Sequence, residues 1–138
     1  MLANQYHYRD ERTEAGVARA HGLVPPAELY ARNGLQFLPF NTLYQLSADH
    51  RAGNLEGADS MLLIPDLLTY WLTGRKIAER TNASTTGLLD IRTGQWDHTL
   101  IARLSLPPTL FSTLIDAGST VWPLLSAVAN EIGASEDL

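Results

Sequence analysis

Apolar and polar positions fall in blocks along this chain, and most of the blocks repeat at helical spacing. Thr13 reads as the cap of a first short helix over residues 13–20, with Gly22 as its stop. Pro25-Pro26 opens a second helix, since proline suits the first helical turn, and Asn33-Gly34 closes it. Leu43, Tyr44 and Ser47 begin a third helix face, over residues 42–52, broken at Gly53. The most apolar segment is 61–72. Pro65 suits its first helical position, and Asp66 complements the positive end of the helix dipole. Leu63, Leu67, Tyr70 and Trp71 share one face, Leu68 and Leu72 broaden it, and Gly74 stops it. So wide an apolar face predicts a core helix covered on most sides.

Residues 76–96 change character: short polar and β-branched residues, then Leu88-Leu89, then Arg92-Thr93-Gly94 as a turn. This predicts extended or irregular structure with a hairpin. Asp97 caps a helix over 97–105, Trp96 and Ile101 have the spacing of a hydrophobic staple, and Pro107-Pro108 ends that helix. Leu110, Phe111, Leu114 and Ile115 predict another short helical face. Residues 5–8 read as the end of a strand and 120–124 as extended. Residues 126–132 read as a last helix stopped by Gly133. With at least five helices, few strands and no internal repeat, the pattern predicts a helix-rich α/β chain.

One stretch organises the rest. In Gln36-Phe37-Leu38-Pro39-Phe40-Asn41-Thr42-Leu43-Tyr44-Gln45-Leu46 an extended aromatic loop switches to helical period. Pro39 fixes its own φ and biases Leu38 away from the helical region. Asn41 has the side chain of a helix cap. A stiff aromatic loop feeding a helix brings Asn41, Thr42 and Gln45 to a pocket mouth. The plainer alternative makes Phe37 and Phe40 core plugs and Asn41 only a cap.

At 138 residues and 45% hydrophobic, the chain has the size of one domain or a piece of one. A net charge of -5 with scattered basic residues argues against nucleic-acid binding. The absence of Cys removes disulfides, thiolate metal sites and Cys nucleophiles. No apolar run reaches the roughly 20 residues of a membrane helix, and residues 1–10 do not read as a signal peptide, so the expected compartment is the cytoplasm. His7, His21, His50 and His98 show no metal-ligand spacing. Asp90 and Asp97 flank a turn, either as paired carboxylates or in capping and turn roles.

Four stretches, in this order, carry a resemblance. They are Tyr8-Arg9-Asp10-Glu11-Arg12-Thr13, the Gly34 to Leu46 run, Ile64-Pro65-Asp66 through Leu72-Thr73-Gly74, and Thr81-Asn82-Ala83-Ser84-Thr85-Thr86 through Asp90 and Trp96-Asp97. Together they resemble the FGGY carbohydrate kinases. The 36–46 run is the most specific and is similar to the rhamnulokinase branch rather than to glycerol kinase or xylulokinase. The resemblance implies a helix-rich fragment of an actin-like, ribonuclease H-like N-terminal domain. It implies that the phosphate-binding hairpin, the catalytic Asp in its His-Asp-Thr context and the C-terminal ATP domain lie outside these 138 residues. The whole enzyme would use Mg-ATP to phosphorylate a ketose such as L-rhamnulose at O1. This chain alone would be inactive, with no catalytic residue and no cofactor bound. Tyr8, Arg9, Asp10, Phe40 and Asn41 are then the implied sugar-facing residues, and 81–86 supply backbone-bonding hydroxyls and a cap. A free-standing remnant acting as a binding or interaction module is the alternative. In either case, apolar helix faces cut off from their sheet favour self-association.

Overall fold

The two helices that bracket the aromatic loop and its preceding helix pack directly on each other. In the computed structural model, which describes residues 6–7 and 9–135, these are α1 (Thr13–Leu23) and α3 (Thr42–Arg51). Their approach is set by Gly16. A Cβ there would sit 1.9 Å from the Tyr44 carbonyl oxygen, so only a residue without a side chain lets the backbones meet. Between them lie α2 (Pro26–Asn33) and the loop to residue 41. Pro26 starts α2, and Gly34 ends it at φ 69, a left-handed cap that suits glycine.

The second half is built on short strands. After α4 (Ile64–Thr73), β1 (Ile77–Glu79) pairs in parallel with β4 (Thr113–Ile115), in the register Ile77 to Thr113. A parallel bridge from Met61 to Phe111 extends that pairing. Helix α5 (Arg80–Ser84) follows β1 directly, and β2 (Leu89–Asp90) and β3 (Gln95–Trp96) form an antiparallel hairpin. Helix α6 (His98–Arg103) leads to a single 3₁₀ turn (Pro108–Leu110), and α7 (Ser126–Ile132) closes the order, ended by Gly133 at φ 66. Leu88, Leu100, Ile101, Leu104, Leu110 and Val24 are fully buried, so the core lies where the hairpin and α6 meet the α1–α3 pair.

The structure departs from the pattern at several points. Thr13 is the first residue of α1 rather than its cap. Its hydroxyl donates to the Asp10 carbonyl at 3.0 Å, and α1 runs past Gly22 to Leu23. Residues 110–115 are a 3₁₀ turn and a strand, not a helical face, because β4 finds β1 as a hydrogen-bonding partner. The turn of helix at 80–84 was hidden by its polar composition; Glu79 caps it by accepting from the Thr81 and Asn82 N–H groups, both at 2.8 Å. Residues 120–124 pair with no strand among the described residues, although the Leu125 N–H donates to the Leu72 carbonyl at 2.9 Å. Of the strand expected at 5–8, Tyr6 and His7 are not in strand conformation, and residues 5 and 8 lie outside the described residues.

Helix α4 departs most. Pro65 sits in its first turn as its pattern requires, but the helix is not covered on most sides: only Asp66 and Leu67 are buried. Ile64, Leu68, Trp71 and Leu72 are about half exposed or nearly so, at 52%, 50%, 50% and 45%. The apolar content expected of a core helix is present, without enough sheet in this chain to cover it.

Asp66 itself is 2% exposed. One carboxylate oxygen accepts the Glu79 N–H at 3.1 Å, joining α4 to the end of β1, and the other is buried with no hydrogen-bond partner within 3.5 Å among the described residues. Burial, and then the nearby Glu79 charge, hold its carboxyl above the ordinary range. The stability this contributes is complete below the ordinary carboxylate pKa of about 3.9 and is lost as pH rises through the raised folded value. Asp66→Asn keeps an oxygen for Glu79 and removes the charge. Across that window its stability is expected to stay level where the parent's falls, as read by urea unfolding at a series of pH values.

Candidate functional site

The N-terminus of α3 is the best-anchored end of the aromatic loop. Asn41 stands at the cap position of α3, yet its side chain does not cap it. Its Nδ2 instead donates to the Thr85 carbonyl at 2.8 Å, and the Leu43 N–H donates to the Thr86 carbonyl at 3.0 Å. The loop is thus stitched to the segment after α5, where the expected hydroxyl-to-backbone bonds are made: Ser84 to Thr81, Thr85 to Asn82 and Thr86 to Ala83. Phe40 is half-buried, and its carbonyl accepts from Gln45 Nε2 at 2.8 Å. Phe37, by contrast, is 54% exposed and plugs no core.

The charged turn before α1 is tied to the same place. Asp10 Oδ1 accepts the Arg12 N–H at 3.0 Å and lies 3.9 Å from its guanidinium. That guanidinium donates to Asp49 at 2.7 Å and to the Gln45 carbonyl at 3.4 Å, and covers the Tyr6 ring at 4.1 Å from its centroid. Arg12 and Gln45 therefore form a strut between the Asp10 turn and Phe40. In the sequence Arg12 stands out only as part of the Tyr8 to Thr13 stretch, and Gln45 only as a pocket-mouth residue. What identifies the strut, Asp49 on the next turn of α3, is a contact across 37 positions that no local pattern carries. Of the implied site residues, Phe40 and Asn41 are neighbours in the chain, and Asp10 is linked to Phe40 only through Arg12 and Gln45. Arg9 is exposed on the same turn, and Tyr8 lies outside the described residues.

On the other side of the loop, α1, α2 and α3 enclose a cleft of about 130 Å³. His21 Nε2 and the Tyr44 hydroxyl are 3.0 Å apart in its wall, and Phe37 packs against both rings. Burial raises the Tyr44 hydroxyl's pKa, so it remains a neutral phenol at ordinary pH.

The two aspartates flanking the hairpin turn have separate tasks. Asp90 Oδ1 accepts from the Arg92 and Thr93 N–H groups at 2.7 and 3.3 Å, closing the turn. Asp97 accepts the Leu100 N–H at 2.9 Å as the cap of α6, and binds Arg32 at 2.9 Å. Arg32 also binds Glu28, which Arg103 contacts too; these bonds hold the Glu28 carboxyl below its ordinary range. Among the described residues no group of three His, Asp or Glu converges as metal ligands, and no helix is long and apolar enough to cross a membrane.

Known proteins match this chain along its length. The description "FGGY family of carbohydrate kinases, N-terminal domain" matches residues 1–138. A rhamnulokinase of Yersinia pestis bv. Antiqua (strain Angola) is 46% identical over 122 residues, 87% of this chain and 25% of the relative. A rhamnulokinase of Enterococcus faecalis (strain ATCC 700802 / V583) is 42% identical over 127 residues, 92% of this chain and 26% of the relative. The chain thus spans about a quarter of the length of the curated relatives it matches. The crystal structure of gluconate kinase from Lactobacillus acidophilus superposes with a TM-score of 0.88 at 20% identity, covering 99% of this chain and 28% of that one. The fold is that of part of an actin-like, ribonuclease H-like kinase domain. The chain belongs to the FGGY family of carbohydrate kinases.

Proposed function

We propose that this chain is the sugar-facing part of the first domain of an ATP-dependent kinase that converts L-rhamnulose to L-rhamnulose 1-phosphate. The observation that carries this reading is the loop and helix of residues 36–46, which resemble the rhamnulokinase branch, held at their helix end by Thr85, Thr86 and Gln45. Relatives named rhamnulokinase at 39–47% identity support the choice of sugar. In this reading Phe40 turns an apolar ring to the C–H groups of the sugar, and Asn41 supplies a donor and an acceptor to its hydroxyls. Tyr8, Arg9 and Asp10 complete that surface, and the Arg12–Gln45 strut holds both parts in place. Sugar phosphorylation needs in-line geometry, a metal to neutralise phosphate charge and a base at the attacking hydroxyl. No step with Mg-ATP is assigned to the described residues. The phosphate hairpin, the catalytic Asp and the nucleotide domain are assigned to sequence outside this chain.

A second reading, a free-standing remnant that works by binding, is favoured by the exposed apolar face of α4. That face also supports self-association, because contiguous apolar patches beyond a few hundred Å² are rare on monomers. One preparation tests these points. In a coupled ADP-release assay with L-rhamnulose and Mg-ATP, the chain alone is expected to read at background and to sediment as a dimer or larger. Clear turnover would contradict the fragment reading. A clean monomer near 15 kDa, unfolding cooperatively, would contradict self-association.

A further inference from the structure

We propose that Glu79 is a positioning residue for Asn41, acting through the five-residue helix α5. The proposal rests on the reading of Asn41 as a sugar-facing residue and adds what sets the direction of its side chain. Glu79 is the last residue of β1, in register opposite Ile115 of β4. Its N–H donates to the Asp66 carboxylate in the first turn of α4 at 3.1 Å. The Glu79 backbone is thus fixed by the strand pair and by α4 together.

The Glu79 side chain carries that fixed point into α5. Its two carboxylate oxygens accept the Thr81 and Asn82 N–H groups, each at 2.8 Å. The Asn82 carbonyl then accepts the Thr85 N–H at 3.0 Å and the Thr85 hydroxyl at 2.8 Å. The Thr85 carbonyl accepts Asn41 Nδ2 at 2.8 Å, 44 positions away in the sequence. Hydrogen bonds of ordinary length therefore run without a break from the strand pair to the Asn41 amide. The shortness of α5 gives Glu79 its weight. Five residues are far below the length at which a helix sustains itself, and Glu79 satisfies two of the N–H groups that the first turn leaves open. Those two bonds hold its carboxyl below the ordinary range, so it stays charged and accepting at neutral pH. Without them α5 loosens, and the Thr85 carbonyl loses the orientation that aims Asn41. The next carbonyl, that of Thr86, holds the Leu43 N–H at 3.0 Å and loosens with it.

The test is NMR of the chain itself, read at the Asn41 side-chain amide protons with no sugar present. In Glu79→Ala their exchange with water is expected to quicken about fivefold, the loss of one cap. The Leu104 N–H, bonded to the Leu100 carbonyl in α6, is expected to keep its rate. Glu79→Asp keeps a carboxylate of the kind preferred at a cap and is expected to restore the slow exchange. Glu79→Gln keeps one acceptor oxygen and should fall between; it supplies the reading if the alanine variant unfolds. Asn41 protons that exchange at the parent rate in both variants, or a quickening shared equally by the Leu104 N–H, would overturn the proposal. Sugar kinetics separate it from the reading it rests on. In a rhamnulokinase carrying this chain, Glu79→Ala should raise the Michaelis constant for the sugar about fivefold and leave that for ATP within about twofold. Quickened Asn41 protons with an unchanged sugar constant would uphold Glu79 as the residue that positions Asn41 and remove Asn41 from the sugar surface.

Discussion

Gly16→Ala is expected to unfold this chain or bring it close to unfolding, although alanine is the better helix former. The added Cβ would lie 1.9 Å from the Tyr44 carbonyl oxygen, 2.9 Å from its carbon and 3.0 Å from the Ala48 nitrogen. These are backbone atoms of α3, so no side-chain rotation relieves the overlap, and α1 and α3 must move apart along the face that carries the core. Overpacking of this kind costs about 3 kcal/mol or more, several times the roughly 1 kcal/mol that alanine offers over glycine within a helix. Gly22→Ala in the same helix is the control. Nothing lies within 4 Å of its added Cβ, so it is expected to stabilise the chain slightly. Thermal unfolding of the two variants side by side checks the argument: the midpoint should fall by about 10 °C or more for Gly16→Ala and rise for Gly22→Ala. Similar midpoints would mean that the helices are not in this contact.

The second large effect is expected at Asp97. Its side chain is 5% exposed and does two things at once: it caps α6 through the Leu100 N–H and holds Arg32 at 2.9 Å. Alanine removes the cap, worth about 1 kcal/mol, and takes the buried carboxylate partner from the Arg32 guanidinium. Arg32 is 27% exposed and keeps Glu28, so solvent and that second partner soften the loss. A total of about 2–3 kcal/mol follows. Asp97→Asn keeps an oxygen for the cap and should recover about half, measured by urea unfolding. Equal losses for the two variants would assign the whole effect to the charge.

These two residues also mark what could be read in advance. Asp97 was legible as a cap because a cap is local, defined by one side chain and the next turn of backbone. The hairpin turn at 92–94, the caps at Gly34, Gly74 and Gly133, and the starts of α2 and α4 were legible for the same reason. Thr13 and Asn41 show the limit: both have capping side chains, but Thr13 bonds the Asp10 carbonyl just before its helix, and Asn41 bonds the Thr85 carbonyl that tertiary structure brings within reach. The strand at Thr113–Ile115 was misread as helix because its apolar spacing fits either period, and its β1 partner lies 36 positions away. The covering predicted from the breadth of the α4 face is not found, because burial depends on what packs against a helix as well as on its own apolar residues. At the candidate site, the loop and Asn41 were visible as a motif, whereas Arg12 and Gln45 became meaningful only through Asp49 and Phe40.

Residues 8–10, 40 and 41 are proposed to face the sugar of an L-rhamnulose kinase. The most direct measurement grafts this chain into the rhamnulokinase of Enterococcus faecalis in place of the segment it matches, and compares the graft with its Phe40→Ala and Asn41→Ala variants. The graft is expected to phosphorylate L-rhamnulose. Each substitution should raise the Michaelis constant for the sugar about tenfold, the loss of one or two well-made contacts, while leaving that for ATP within about twofold. A folded, active graft whose sugar constant is the same with and without Phe40 and Asn41 would contradict the claim and make both residues structural.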